Sequence, residues 1–492
     1  MTNAALQENE PAAALAALLR PDQLVLDPAE LAVYDADGFT IARGTPRAVC
    51  FPETTAQVAA VIRELIRHDV QIVPRGSGTG LTGGCVAFES RGRGGVVIST
   101  VRLKRIISID VANRVAHVEA GVLNTRLSEA IARTPGGERF HYAPDPSSQR
   151  ASTIGGNAAT NAGGIHTLKD FVTSNHVLGV EMVLPTGEVV TLGAAGDTGG
   201  CYESPLDLPG LLCGSEGTLG IITSLWVRLT PLPRAFRTLS AVFPTQGEAC
   251  RCVSGVIAAG HLPTAMEMLD GNMVQLVNET FSLGLPASAQ AFIVCEIDGI
   301  DALLDDQAED IADIMRDNRA EQVQVSADAT ERAKLWKARK AAFGAIGRIS
   351  PSYCTQDACV PRSKLAEVLE QASAIGRRFG LEINNIFHAS DGNVHPIFLY
   401  DDRDEAQMAN ALQAAEEVLK MCIDLGGTVT GEHGVGVEKL HLMPYLFDRN
   451  TLGQFAAAKY AFDPEERINA GKLLPSEKVK VQMLKPGRKV PQ

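Results

Sequence analysis

The chain has 492 residues, which at about 150 residues per domain calls for more than one structural unit. Its 45% hydrophobic residues supply a core, and the net charge of −13 speaks against nucleic acid as a primary partner. No apolar run nears the roughly 20 residues of a membrane-spanning helix, and the opening segment puts acid ahead of a short Ala/Leu run where a secretory signal would be basic. A cytoplasmic protein is therefore expected.

Ten cysteines are scattered without a Cys-x-x-Cys pair, which reads as reduced thiols rather than a disulfide frame. Cys354 and Cys359 have the first interval of a plant-type ferredoxin cluster, but Arg362 stands at the next ligand position, so no iron–sulfur cluster is expected.

Residues 1–45 form an Ala-rich amino-terminal helical segment. Beyond it, Ala48–Phe51 reads as a strand, and Thr54 or Thr55 caps a helix whose Val58, Val61, Ile62, Leu65 and Ile66 recur at helical spacing. Strands follow at Gln71–Pro74, Gly95–Ile98, Ile106–Ile109 and Arg114–Glu119, with a helix at Asn124–Arg133. This α+β unit spans 46–232 and ends where Pro231 and Pro233 punctuate the chain. Helices near Gly247–Gly260 and Ala302–Asn318 then alternate with strands at Phe292–Ile297 and Glu321–Val325, the pattern of a ferredoxin-like α/β domain over 233–425. A long helix through Met408–Leu425 closes on Gly426-Gly427, and a basic tail occupies 476–492.

Between Arg75 and Gly84 five glycines fall within nine residues, so backbone N–H groups can converge on an anion. The spacing is neither the Rossmann fingerprint nor a Walker loop. Taken alone, such a loop is equally well chain geometry. Two further permissive runs change that balance: Ala143–Ser148, continuing through Thr153–Asn157 to Asn161–Gly164, and Gly214–Ile222. Three such loops can wrap an extended ligand with a diphosphate and a flat ring.

Together they resemble the FAD domain of the vanillyl-alcohol-oxidase/p-cresol-methylhydroxylase (PCMH) family. The resemblance implies FAD held by Arg75, Gly76, Ser77, Gly78, Thr79, Gly80, Pro144, Asp145, Ser148, Gly155, Gly156, Asn157, Asn161, Gly163, Gly164, Gly214, Glu216, Gly220, Ile221 and Ile222. Where some members attach flavin covalently through His, this chain has Thr79 or a neighbour, so the FAD is expected to be non-covalent.

Asn384–Phe398 reads as strand, turn, strand, with Asp391-Gly392 as a two-residue turn that would set His388 opposite His395. Thr430–Gly436 presents Glu432 and His433 in a Gly-flanked loop. Any one histidine is more often structural. His388, His395 and Glu432 jointly suit a divalent metal (Zn, Mn or Fe) with positions left open.

The motifs His388-x-x-Asp391-Gly392-Asn393-x-His395, Gly431-Glu432-His433-Gly434 and Phe462-Asp463-Pro464 through Asn469-Ala470-Gly471-Lys472 resemble those of the flavin-linked D-2-hydroxyacid dehydrogenases. That likeness implies a PCMH-type FAD-binding domain, a ferredoxin-like cap domain and a carboxy-terminal segment, 426–475, returning to the flavin. It implies metal ligation by His388, His395 and Glu432, His433 as the base, Asn469 near the flavin, and Arg339 and Asn393 on the substrate. Ala470 stands where Pro is commoner. Relatives acting on 2-hydroxyglutarate carry a Lys shortly before the Asp, where Cys354-Thr355-Gln356 precede Asp357 here; a small monocarboxylate, glycolate or D-lactate, is expected. The partners implied are a second flavin-domain subunit and an iron–sulfur subunit, met at the inner membrane face.

Overall fold

The computed structural model describes residues 10–88, 94–193 and 206–476. The carboxy-terminal tail from 477, the first nine residues and Cys201 lie outside the described residues; none of the nine described cysteines is in a disulfide. The chain divides into two units, one of Met1–Ala162, Val172–Leu232 and Glu432–Gln492, the other of Gly163–Phe171 and Pro233–Gly431.

In the first unit, α1 (Glu10–Leu18) precedes β1 (Leu24–Val25), β2 (Ala48–Cys50), α2 (Thr55–Arg67), β3 (Ile72–Arg75) and β4 (Val96–Ser99). Thr54 caps α2 by accepting the Gln57 N–H, and the helix buries Val58, Val61, Ile62 and Leu65 on one face. That face packs on Ile72, Val96 and Ile98 of a four-stranded sheet, order β1-β2-β4-β3, in which β2 and β3 run parallel to β4. A second sheet holds β5 (Ile106–Asp110), β6 (Val115–Glu119), β7 (Val177–Val183), β8 (Val189–Gly193) and β9 (Ile221–Arg228), order β5-β6-β9-β7-β8 and antiparallel throughout. Helix α3 (Asn124–Arg133) covers it with Leu127 and Ile131, beside the short α4 (Ile154–Thr160).

The second unit begins with β10 (Ala235–Phe243), α5 (Gln246–Ala258), β11 (Ala265–Asp270), α6 (Gly271–Phe281), β12 (Ala291–Gly299), α7 (Asp301–Asp317) and β13 (Glu321–Ser326). Their strand order, β13-β10-β12-β11, is antiparallel and ferredoxin-like. Next come α8 (Ala329–Ile346), β14 (Ser352–Thr355), β15 (Ala358–Cys359), α9 (Leu365–Phe379), β16 (Ile383–His388), β17 (Asn393–Tyr400) and α10 (Glu405–Asp424). β16 pairs with β11, so both halves share one eight-stranded sheet. After this unit, α11 (Arg449–Phe462) belongs to the first. Among the described residues no helix is long and apolar enough to cross a membrane.

Three sequence expectations change. In the hairpin, His388 pairs with Asn393 and Ile386 with His395, so the connection is the wider loop 389–392 rather than a two-residue turn. That loop is held open from outside: the Val360 N–H donates to the Gly392 carbonyl at 3.0 Å and Arg362 to the Ser390 carbonyl at 3.0 Å. Residues 163–171, expected in the flavin domain, belong to the second unit, because Ile165 packs with Val242 and Ala265 and Lys169 pairs with Asp298. The second unit also runs past 425 to Gly431. Buried Asp357 accepts the Thr430 hydroxyl at 2.7 Å and the Gly431 N–H at 2.8 Å.

Candidate functional site

The glycine-rich runs of the first unit are stitched to one another by their backbones. Gly214 N–H donates to the Ala158 carbonyl at 2.9 Å and Glu216 N–H to the Ala159 carbonyl at 2.7 Å. A Cβ on Gly76 would meet Thr153 Oγ1 at 2.9 Å, and one on Gly217, with φ +68°, would lie 3.1 Å from Pro74. Two buried polar atoms here, Ser77 Oγ and Asn157 Nδ2, make no hydrogen bond with the described residues. Orphaned donors beside glycines that keep side chains away are what a phosphate-bearing ligand needs. The cradle therefore fits FAD.

The remaining residues expected at the flavin divide. Arg75 is buried and gives its guanidinium to the Ala36 and Cys85 carbonyls, so its charge serves the loop's own scaffold. Gly80 accepts the Gly38 N–H at 2.7 Å, leaving Gly78 and Thr79 between it and Ser77 at the turn of the loop. Pro144 accepts the Asn124 amide at 2.7 Å, Asp145 stands next to it in the chain, and Ser148 receives the Ala151 and Ser152 N–H groups. Asn161 ends α4 and takes the Ser174 N–H on its side chain at 2.8 Å. Gly155 and Gly220 are small for packing: a Cβ would strike Ala120 at 2.6 Å and Met182 at 2.2 Å respectively. Ile221 and Ile222 open β9 and enter the two hydrophobic cores. Gly156 lies 3.0 Å from Thr153 Oγ1 by the same measure, while Gly163 and Gly164 fall in the second unit.

Glu216 does more than line a loop. Its buried carboxylate accepts the Val435 N–H at 2.6 Å and the Gly436 N–H at 2.8 Å, clamping the segment that carries Glu432 and His433. Gly436, with φ +52°, packs so close that a Cβ would sit 2.1 Å from the Thr82 carbonyl. Asn469 donates its amide to the carbonyls of Gly84 and Glu216, and buried Lys472 binds Asn469 Oδ1 at 2.7 Å together with the Gly84 and Val86 carbonyls. The returning segment thus ties the first glycine-rich loop to the Glu216 loop. Burial pushes the Lys472 ammonium down to about 8, against the pull of Cys85, Asp37 and Glu216.

Burial likewise pushes the Glu216 carboxyl up, opposed by the Val435 and Gly436 N–H groups and by Lys439 and Lys472. The folded unit therefore binds this proton more tightly than the unfolded chain, and the group's stability contribution is lost as pH rises above the ordinary carboxylate range. Glu216→Gln should flatten that part of the pH–stability profile. Glu216→Ala, leaving two buried N–H groups unpaired, should cost about 1–3 kcal/mol in denaturant unfolding; an unchanged midpoint for the alanine variant would remove the clamp.

In the second unit, His388 and His395 are buried side by side, ring centroids 5.1 Å apart and planes at 89°. They are diagonal rather than direct cross-strand neighbours, since residues two apart on a strand share a face. His388 Nδ1 lies 2.7 Å from Glu267 Oε1 and His395 Nδ1 lies 3.3 Å from the Gln356 carbonyl. Both acceptors assign the proton to Nδ1, so each ring carries its basic nitrogen at Nε2. Asp357 Oδ1 stands 3.9 Å from His395 Nδ1. The Asn393 side-chain oxygen is buried without a hydrogen bond among the described residues.

Arg339 reaches this group from α8, but its guanidinium pairs with Glu267 rather than standing clear for a ligand. Its Nε is buried and donates to none of the described residues. Burial would raise the Glu267 carboxyl, yet Arg339 and His388 hold it below the usual carboxylate range. Motif reading passed over Glu267, whose signal is an acid inside the apolar central strand Ala265–Asp270.

Comparisons with known proteins agree with this composition. The FAD binding domain family matches residues 46–193, and the family described as FAD linked oxidases, C-terminal domain, matches residues 232–473. Glycolate oxidase subunit GlcD of Escherichia coli is 38% identical over 91% of this chain and 87% of its own, and that of Bacillus subtilis 36% over 90% and 92%. A D-lactate dehydrogenase of Archaeoglobus fulgidus is 30% identical over 86% and 90%. Among solved structures, p-cresol methylhydroxylase superposes with a TM-score of 0.75 at 16% identity, covering 95% of this chain and 96% of that one, which shows a PCMH-type fold. Since its GlcD relatives exceed a third in identity across nine-tenths of its length, this chain belongs to the FAD-linked oxidases.

Proposed function

We propose that this chain is a flavoprotein dehydrogenase that oxidises a small D-2-hydroxy acid, glycolate and also D-lactate, to the 2-oxo acid. The observation that carries this reading is the buried His388–His395 pair, each ring with Nδ1 already engaged, in a chain similar to glycolate oxidase subunits and a D-lactate dehydrogenase. FAD, held non-covalently in the glycine-rich cradle, supplies the two-electron acceptor for the substrate's Cα hydrogen. A divalent ion (Zn, Mn or Fe) held by His388, His395 and Glu432 supplies Lewis acidity toward the substrate oxygens.

The chain's own groups do the rest. Arg339 orients the substrate carboxylate, its Nε–H being the donor left over from the pairing with Glu267. Asn393, whose side-chain oxygen is buried without a hydrogen bond among the described residues, contributes its amide group to holding the substrate. His433 takes the hydroxyl proton on a ring nitrogen as the C–H bond breaks, so that no free alkoxide forms. No lysine stands shortly before Asp357, where Cys354-Thr355-Gln356 precede it, and Arg348 is an exposed residue bonded to Thr280. A small monocarboxylate is the substrate that suits this arrangement. Electrons leave to a second flavin-domain subunit and an iron–sulfur subunit, with the complex peripheral to the inner membrane. A stand-alone D-lactate or D-2-hydroxyglutarate dehydrogenase is the second reading; the A. fulgidus relative, a D-lactate dehydrogenase, supports its D-lactate form.

Anaerobic mixing of the purified yellow protein with each acid separates the two. Glycolate and D-lactate should bleach the chromophore while D-2-hydroxyglutarate leaves it oxidised. Bleaching by D-lactate alone or by D-2-hydroxyglutarate alone would favour the second reading, and bleaching by none of the three would remove both.

A further inference from the structure

We infer that Glu267 is a positioning residue shared by metal and substrate: one carboxylate oxygen sets His388 and the other sets Arg339. This rests on the functional reading above and goes beyond it, because Glu267 touches neither reactant. Glu267 is in β11, directly opposite His388 in the strand pairing, with buried Ala265 and Leu269 flanking it on the same face of the strand. A carboxylate buried among such residues is costly unless both oxygens are engaged. Here they are: Oε1 lies 2.7 Å from His388 Nδ1, and Oε2 pairs with the Arg339 guanidinium.

The contrast with Glu296 makes the point. Arg332, Trp336 and Arg339 follow one another along one face of α8. Glu296, on the neighbouring strand β12, takes Arg332 at 2.6 Å and the Trp336 indole N–H at 2.7 Å. That carboxylate anchors the helix and is in contact with neither histidine of the pair. Glu267 takes the last basic residue of the same face and, with its other oxygen, an imidazole. Fixing Nδ1–H on His388 presents Nε2 for ligation, and holding Nη2 of Arg339 aims its remaining edge at a substrate. Metal affinity and substrate affinity therefore depend on a single side chain.

The two oxygens can be tested apart. In Glu267→Gln the amide oxygen can still accept from His388 Nδ1–H, but the NH₂ group faces Arg339, donor against donor. Titration of Mn²⁺ into the chelator-stripped, flavin-loaded full chain should give a Kd within about threefold of wild type, while KM for glycolate rises at least about tenfold. Glu267→Ala should weaken Mn²⁺ about 10–100-fold as well. Glu296→Gln should lower thermal stability without shifting the Mn²⁺ Kd, the result of a purely structural acid. An isosteric Glu267→Gln protein with unchanged KM, or Glu267→Ala with unchanged Mn²⁺ affinity, overturns the proposal. His388→Ala is the arm that distinguishes failures. If it too leaves Mn²⁺ affinity intact, the metal reading falls and this proposal with it; if it weakens Mn²⁺ while Glu267→Ala does not, only the role of Glu267 is lost.

Discussion

Alanine in place of His433 should lower kcat by about 10²–10⁴-fold, the range that a positioned general base contributes, with the flavin still bound. The second half of that expectation comes from how the loop is held. Val435 and Gly436, the residues just beyond His433-Gly434, are fixed by backbone hydrogen bonds to Glu216 at 2.6 and 2.8 Å, and Val437 N–H donates to the Thr82 carbonyl at 2.9 Å. None of these contacts uses the imidazole. Truncating it removes the proton acceptor and leaves the anchor and the glycine-rich cradle in place. Steady-state turnover on glycolate, read beside the flavin absorbance of the same preparation, checks this. Near-normal turnover would reject His433 as the base, and a colourless variant would show that the side chain supports the cofactor instead.

Chelation has the next largest expected effect. Exhaustive removal of divalent metal should abolish turnover, and adding back Mn²⁺ or Zn²⁺ should restore it. In His395→Ala the restored activity should require metal concentrations raised by more than the ~10–100-fold that loss of an outer-shell partner costs. The reason is local: Nδ1 of His388 is committed to Glu267 and Nδ1 of His395 to the Gln356 carbonyl, which sets the tautomer in which Nε2 of each ring would bind a cation. Deleting one ring removes one of the expected ligands. A rate that survives chelation intact would eliminate the ion from the mechanism.

How far the sequence carried these conclusions differs from segment to segment. Helix Asn124–Arg133 was legible to the residue, and the cap of Thr55–Arg67 was legible as Thr54 or Thr55, of which the structure uses Thr54. The hairpin was legible as a hairpin, and its register was not. Asp391-Gly392 is compatible with a two-residue turn, but Val360 and Arg362 pull the loop wider, and they act from outside the local sequence. The two histidines still share a face, because a shift by two positions preserves the alternation of a strand. Gly155 and Gly220 were read as making room for a ligand, whereas Ala120 and Met182 account for their small size. A missing side chain looks the same in sequence whether the space is taken by a phosphate or by the protein.

By itself the sequence determined the period of each amphipathic helix, the places where the backbone could turn without a Cβ, and the residue types able to bind a flavin, a cation and a small acid. All of these are properties of neighbours along the chain. Only the tertiary structure decided which partner each polar group would have. Glu267 meets His388 across 121 positions, and Glu216 meets Val435 across 219. Such pairings are fixed by strand register and by the cost of burying a charge unmatched, and both of those exist only once the chain has folded.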